Sequence, residues 1–228
     1  MPGMSIMYQV RRTGRRSKNI SVRVHHDGTV RVGAPNWATQ SEIRRVVQTH
    51  SEWIAQRVAE AKAMAPRYDH GAMQFFLGKR YPITFEPPSE RDAVSFSDRR
   101  FVVAARDRTP EHVRDLLRVW YRRQALALLA ERVELHADLP WLKSAPTWRL
   151  RRMRSQWGSC TATGAVTLNT QLVKASLDLI DYVIVHEFAH LKHHDHGPGF
   201  ERLMDRHMPD WRTRRRELNT LGPAILID

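Results

Sequence analysis

His186, Glu187 and His190 form an HExxH motif inside a nearly unbroken apolar run, DYVIVHEFAHLKHHDH. On a helix, residues four apart share a face, so the two imidazoles converge on one metal ion and the Glu187 carboxylate lies beside any water held there. Ahead of the motif, Leu177, Leu179, Ile180, Tyr182, Val183, Ile184 and Val185 are apolar round most of the circumference, which predicts a helix buried on several sides. Burying three ionisable groups in such a helix is costly unless partners offset it, and a metal ion is such a partner. The pentapeptide alone also fits hydrogen-bonded core histidines beside a salt-bridged glutamate, so the residues that follow it carry the decision.

Catalytic zinc takes a third protein ligand and leaves a fourth position open. His193, His194, His196 and Glu201 all follow closely. A continued helix would carry His193 two turns, about 10 Å, beyond His186, too far to share the ion, and would turn His194 to another face. His196 precedes Gly197, Pro198 and Gly199, which end a helix and permit a reversal toward the first two ligands. His196 is therefore read as the third ligand. Glu201 is the alternative, as the carboxylate of a later helix.

The chain has 228 residues, enough for one substantial core or for a small N-terminal domain attached to a larger one. A single cysteine, Cys160, excludes an intramolecular disulfide framework and a cysteine-rich zinc site, and suits a reducing cytoplasm. No apolar stretch has signal-peptide or membrane-spanning length, so neither secretion nor a membrane span is expected. The formal net charge of +13 attracts polyanions. Its excess falls in three arginine-rich groups: Arg11, Arg12, Arg15, Arg16 and Lys18; Arg149, Arg151, Arg152 and Arg154; and Arg212, Arg214, Arg215 and Arg216. These are candidates for nucleic-acid or nucleotide contact, although no recognition helix, zinc finger or aromatic stacking motif accompanies them.

Alternation over Ile20, Val22 and Val24, a turn at Asp27-Gly28 and resumed alternation at Val30 and Val32 predict a β-hairpin. Thr39 and Glu42 have capping-box spacing and open one helix running to near Pro66. Two more strand pairs are predicted, from Phe75 to Phe85 around Gly78-Lys79 and from Val94 to Val103 around Asp98-Arg99. The stretch from Glu86 to Asp92 between them is the strongest internal candidate for a boundary, giving an N-terminal region over 1–92 and a catalytic core over 93–228. Thr109-Pro110 starts a long helix to about His136. Strands over Thr147 to Arg154 and Ala165 to Gln171, joined through SQWGSCTATG, precede the HExxH helix capped by Ser176. Two short helices, Phe200 to Met208 and Trp211 to Leu221, complete the chain.

The order of hairpin, capped helix, LGKRYPI, MRSQWGSC, LNTQLV, VIVHEFAHLKHHDHGPGF and MPDWRTRRREL resembles the YgjP-like family of zinc metallopeptidases, which is related to the SprT-like proteases. The resemblance covers nearly the whole chain. Its most specific pieces are WGSC at Trp157 to Cys160, HExxHxxxxxH at His186, Glu187, His190 and His196, and PDW at Pro209 to Trp211. It implies an α+β fold with a zincin-like catalytic core, preceded by N-terminal β-hairpins and a helix, with Zn2+ held by His186, His190 and His196. A peptide or protein substrate follows, and the action of SprT-like relatives on DNA-associated proteins agrees with the basic surface. Family alone does not fix the substrate.

Three neutral ligands would let zinc acidify a water and polarise a scissile carbonyl, with Glu187 as general base. Arg154, or a backbone amide near Trp157 and Gly158, is a candidate for oxyanion stabilisation, while Trp157 also suits a packing anchor and Gly158 a turn. Cys160 is either a buried thiol or an inhibitory metal ligand, and Asn169 and Gln171 either line a cleft or satisfy strand ends. Two other classes use the same residues. A metal-dependent nucleotide phosphohydrolase would neutralise phosphate with the arginines, and a nucleic-acid-binding module without catalysis would have no need of Glu187. Nothing in the sequence addresses the oligomeric state.

Overall fold

The computed structural model describes residues 6–13, 19–25, 28–63, 65–144 and 146–226. Arg15, Arg16 and Lys18 of the first basic group, and Asp27 of the expected hairpin turn, lie outside the described residues. The architecture is α+β, with six α-helices and three small sheets among the described residues. The chain divides into two compact units, one ending at Ala65 and the other spanning Pro66–Leu226.

In the first unit, strands β2 (Ser21–Val24) and β3 (Val30–Pro35) form the expected antiparallel hairpin. A strand that the alternation did not announce, β1 (Gln9–Thr13), pairs parallel with β3. Arg12 is part of this unit's structure: its guanidinium donates to the carbonyls of Pro35 at 3.0 Å and Ala38 at 2.6 Å. The capping box at Thr39 and Glu42 opens α1 (Gln40–Thr49) as its spacing predicts. The single helix expected as far as Pro66 is instead two, because the chain leaves helical geometry at His50 before α2 (Ser51–Ala63). At that break the Thr49 hydroxyl donates to the Arg45 carbonyl, a local bond that competes with the helical ladder.

The second unit begins with a four-stranded sheet of order β4-β5-β7-β6: β4 (Met73–Phe76), β5 (Lys79–Glu86), β6 (Ala93–Ser97) and β7 (Arg100–Ala104). Both expected hairpins are present, and β5 pairs parallel with β7. The 86–92 stretch therefore connects strands of one sheet and lies inside the second unit. This sheet also shares a core with the helices that follow. The rings of Phe76 and Phe101 meet Trp120 edge-on at 5.0 and 5.1 Å on the long helix α3 (Pro110–Leu135). The β4-β5 turn is tied to the segment ahead of the motif helix: the amides of Leu77 and Gly78 donate to the carbonyls of Val173 and Lys174, both at 3.0 Å. Gly78 suits this place twice over, with φ at +78° and only 3.0 Å between an added Cβ and Ser176 Cβ.

The third sheet has the order β8-β10-β9, with β8 (Trp148–Arg151) parallel and β9 (Gly158–Cys160) antiparallel to β10 (Val166–Asn169). The two strands are shorter than the expected ranges, Thr147 to Arg154 and Ala165 to Gln171. Beyond β10, Thr170–Lys174 forms a buried 3-10 helix, and the connecting WGSC segment supplies β9. Helix α4 (Leu177–Ala189) carries the motif and is covered by α3, α5 (Pro198–His207), α6 (Trp211–Ile225), β9 and β10. An apolar circumference demands such all-round cover. No helix among the described residues is long and apolar enough to cross a membrane.

Candidate metal centre and active-site cleft

His186 and Glu187 lie in the last turn of α4, and His190 is its C-cap residue, still in right-handed helical geometry at φ −66° and ψ −20°. The chain then turns, and Gly197-Pro198 starts α5, which returns His196 to the first two histidines. His186 Nε2 is 3.3 Å from His190 Nε2 and 3.2 Å from His196 Nε2. A tetrahedral zinc ion with Zn–N bonds of about 2.0–2.1 Å separates its ligand nitrogens by about 3.3 Å, so the donor set fits the ion that the motif implies. The three rings also rest on one platform. Phe200 of α5 is fully buried and stands 4.8 to 5.0 Å from each of them, centroid to centroid, and Trp211 meets its far side edge-on at 6.4 Å.

Outer contacts fix the rings. The Nδ1–H of His190 donates to the His193 carbonyl at 3.0 Å, which leaves Nε2 with its lone pair facing the cluster. Tyr182 Oη lies 3.5 Å from His186 Nδ1, one turn back along α4. The end of the helix is closed by the Trp141 indole, which donates to the Phe188 carbonyl at 2.9 Å. Burial, followed by the neighbouring charges of His190, His196 and Arg215, pushes His186 down to about 3, and burial also lowers His190. Both rings are thereby held neutral, the state in which imidazole ligates a metal. Burial pushes Glu187 up to about 8, while a dication at the imidazoles would act in the opposite sense and favour the carboxylate.

Glu187 is 6% exposed and reaches the cleft past Gly158. An added Cβ at Gly158 would sit 2.6 Å from both Cγ and Oε1 of Glu187, so only glycine permits this approach. The loop leading to it is clamped by Asn169. That side chain donates to the carbonyls of Met153 at 2.8 Å and Gln156 at 2.7 Å, and accepts from the amides of Gln171 at 3.0 Å and Met153 at 3.3 Å. A cleft of about 380 Å3 is lined by Ser155 to Gly158, by His186, Glu187 and His196, and by Arg215, Leu218 and Asn219 of α6.

Among the other sequence candidates, Trp157 and Gly158 line the cleft, and Trp157 also packs against the main core. Arg154 is exposed and does not line it. Glu201 accepts from Arg212 at 3.2 Å and lies outside the histidine cluster, while the ring of His193 fits against Gly199. The Cys160 thiol points to the Thr161 carbonyl, and burial, then the charge of Glu187, pushes it up. The sequence singles out Arg215 only as one of a basic group, and Tyr182, Phe200 and Asn219 not at all as participants. The i to i+4 spacing of Tyr182 and His186 was a usable signal, whereas Phe200 looks like any core aromatic until the chain reversal is in place.

The YgjP-like, metallopeptidase domain family matches residues 18–221. Among solved structures, the chain is similar to the metallopeptidase zymogen of Methanocaldococcus jannaschii jannalysin at 19% identity, over 40% of this chain and 94% of that one, with a TM-score of 0.36. It is likewise similar to the metallopeptidase zymogen of Pyrococcus abyssi abylysin at 20% identity, over 41% and 94%, with a TM-score of 0.37. No curated protein matches.

Proposed function

Because the chain belongs to the YgjP-like metallopeptidase family, we propose that His186, His190 and His196 hold a zinc ion and that Glu187 is the general base of peptide-bond hydrolysis. The observation that carries this reading is the pair of Nε2 separations, 3.2 and 3.3 Å, beside a buried carboxylate that faces the same cleft. Zinc held by these three neutral imidazoles would supply a Lewis acid to polarise the scissile carbonyl and to draw the pKa of a water toward neutrality. Glu187 takes the proton from the attacking water and delivers it to the leaving amine. Gly158 gives that carboxylate room, Phe200 and the His193 carbonyl keep the imidazoles oriented, and the Asn169 clamp holds the cleft wall. The single cysteine suits a reducing compartment such as the cytoplasm.

Arg215 in the cleft favours a second reading, in which the same base and metal ligands act on the phosphoanhydride of a nucleotide. A binding-only module has no use for a general base beside metal ligands. Wild type and Glu187→Gln, assayed in parallel on unfolded protein, DNA-bound protein and nucleoside triphosphates, separate these readings. The variant is expected to keep its metal and lose about 10²- to 10⁴-fold in peptide turnover. Undiminished metal-dependent hydrolysis by the variant contradicts the role of Glu187, and zinc-dependent consumption of nucleotides without peptide cleavage selects the second reading.

A further inference from the structure

The arginines of α6 divide sharply by what they touch. Arg212 pairs with Asp205 and Glu201. Arg214 donates to Asp210 at 2.8 Å and to the Asp178 carbonyl at 2.9 Å, tying α6 to the start of α4. Arg216 donates to the Thr213 hydroxyl at 3.2 Å. Arg215 has no hydrogen bond or ion pair with any described residue, and it lines the cleft. Its direction is set by the helix. Trp211, Leu218 and Gly222 form the buried stripe of α6, and Arg215 and Asn219, four apart on one face, flank that stripe on the cleft side.

Resting on the peptidase reading above, we propose that Arg215, with Asn219 one turn further on, anchors an anionic group of the substrate, a carboxylate or a phosphate, beside the bond that is cut. A guanidinium offers a planar fork of donors matched to either group, and the Asn219 amide adds a donor next to it. Among the described residues, the only carboxylate lining the cleft is that of Glu187, which is buried against Gly158 and is not hydrogen-bonded to Arg215. Exposed at the cleft, Arg215 therefore has no counter-charge among the described residues that line this concave site, the arrangement that concentrates an anion there. A free C-terminal carboxylate on a peptide or a phosphate group each satisfies this anchor, and the two are separable by experiment.

The test is binding without turnover. The zinc-loaded full chain carrying Glu187→Gln is titrated calorimetrically with acetyl-trialanine, with its C-terminal amide and with inorganic phosphate, and the titrations are repeated on metal-free protein. One of the anions is expected to bind at least about tenfold tighter than the amide. That preference should fall to about twofold or less in Arg215→Gln and be partly recovered in Arg215→Lys, which keeps the charge and loses the fork. Preference for the acid over the amide identifies a carboxylate site, and preference for phosphate alone identifies a phosphate site. Equal or undetectable binding of all three probes, or a preference that survives Arg215→Gln, overturns the proposal. Its failure is distinct from failure of the peptidase reading. A protein that hydrolyses peptides through Glu187 yet binds acid and amide alike lacks only the anchor, and an Arg215-dependent preference in a chain without such turnover retains it.

Discussion

A methyl group at position 158 would fall 2.6 Å from two atoms of Glu187, closer than real Cβ contacts come, so Gly158→Ala must displace the carboxylate, the β9 backbone or both. Gly158 is not in a left-handed conformation, so the variant's backbone is otherwise unstrained and the effect should concentrate on the Glu187 carboxylate. The expectation is unchanged metal content with turnover reduced by about 10²-fold, since a misplacement of about 1 Å costs that much. Metal analysis beside a peptide assay checks it. At this scale the sequence was informative where spacing decides which groups meet, as for the rings of His186, His190 and His196. It was silent where a residue acts through shape alone. Nothing in WGSC distinguishes a turn glycine from one that makes room for a carboxylate, and nothing in GPGF announces that its phenylalanine will support three imidazoles.

The elements around α4 are held by polar contacts with definite pH behaviour. Asp181, in the middle of α4, receives Arg132 of α3 through Nε at 2.8 Å, and His136 lies 3.3 Å away. Burial alone would raise its carboxyl, but His136 and Arg132 outweigh that effect and hold it below the usual carboxylate range. A depressed carboxyl stabilises the fold fully above its unfolded value of about 3.9, and the contribution is lost as pH falls below that through the lower folded value. Asp181→Asn, which strips a mostly buried guanidinium of its counter-charge, is expected to cost about 3 kcal/mol at neutral pH. Urea unfolding at pH 7 and near pH 3 should show the gap between wild type and variant narrowing in acid.

Asn169 is the other tie between elements. Asn169→Ala abandons four backbone partners at once, so a loss of about 2 kcal/mol or more is expected by the same measurement, together with weaker substrate binding as the loop that carries Ser155 to Gly158 loosens. The hairpins, and the helices apart from the break at His50, were legible because periodicity and turn residues are local. The strands β1 and β9 were not, since the first is an arginine-bearing segment paired parallel to a distant strand and the second is three residues long.

Across the whole molecule, the core of the second unit runs from the β4–β7 sheet through α3 to the helices that carry the histidines. A candidate boundary in the 86–92 loop was reasonable from composition, but the pairing that spans the loop is a long-range contact that composition does not encode. With so much apolar packing independent of any ligand, chelation should abolish turnover and lower the melting temperature without unfolding the chain. Thermal circular dichroism before and after chelator treatment, with zinc then restored, checks this. The basic charge is also partly structural, since Arg12, Arg132, Arg212 and Arg214 each hold backbone or carboxylate partners. The most direct test of the metal centre is the zinc content of purified wild type, Glu187→Gln, His196→Ala and Glu201→Ala after dialysis against a weak chelator. About one zinc per chain is predicted for wild type, Glu187→Gln and Glu201→Ala, and less than about a tenth of that for His196→Ala. Retention of zinc by His196→Ala together with its loss from Glu201→Ala would contradict the three-histidine centre.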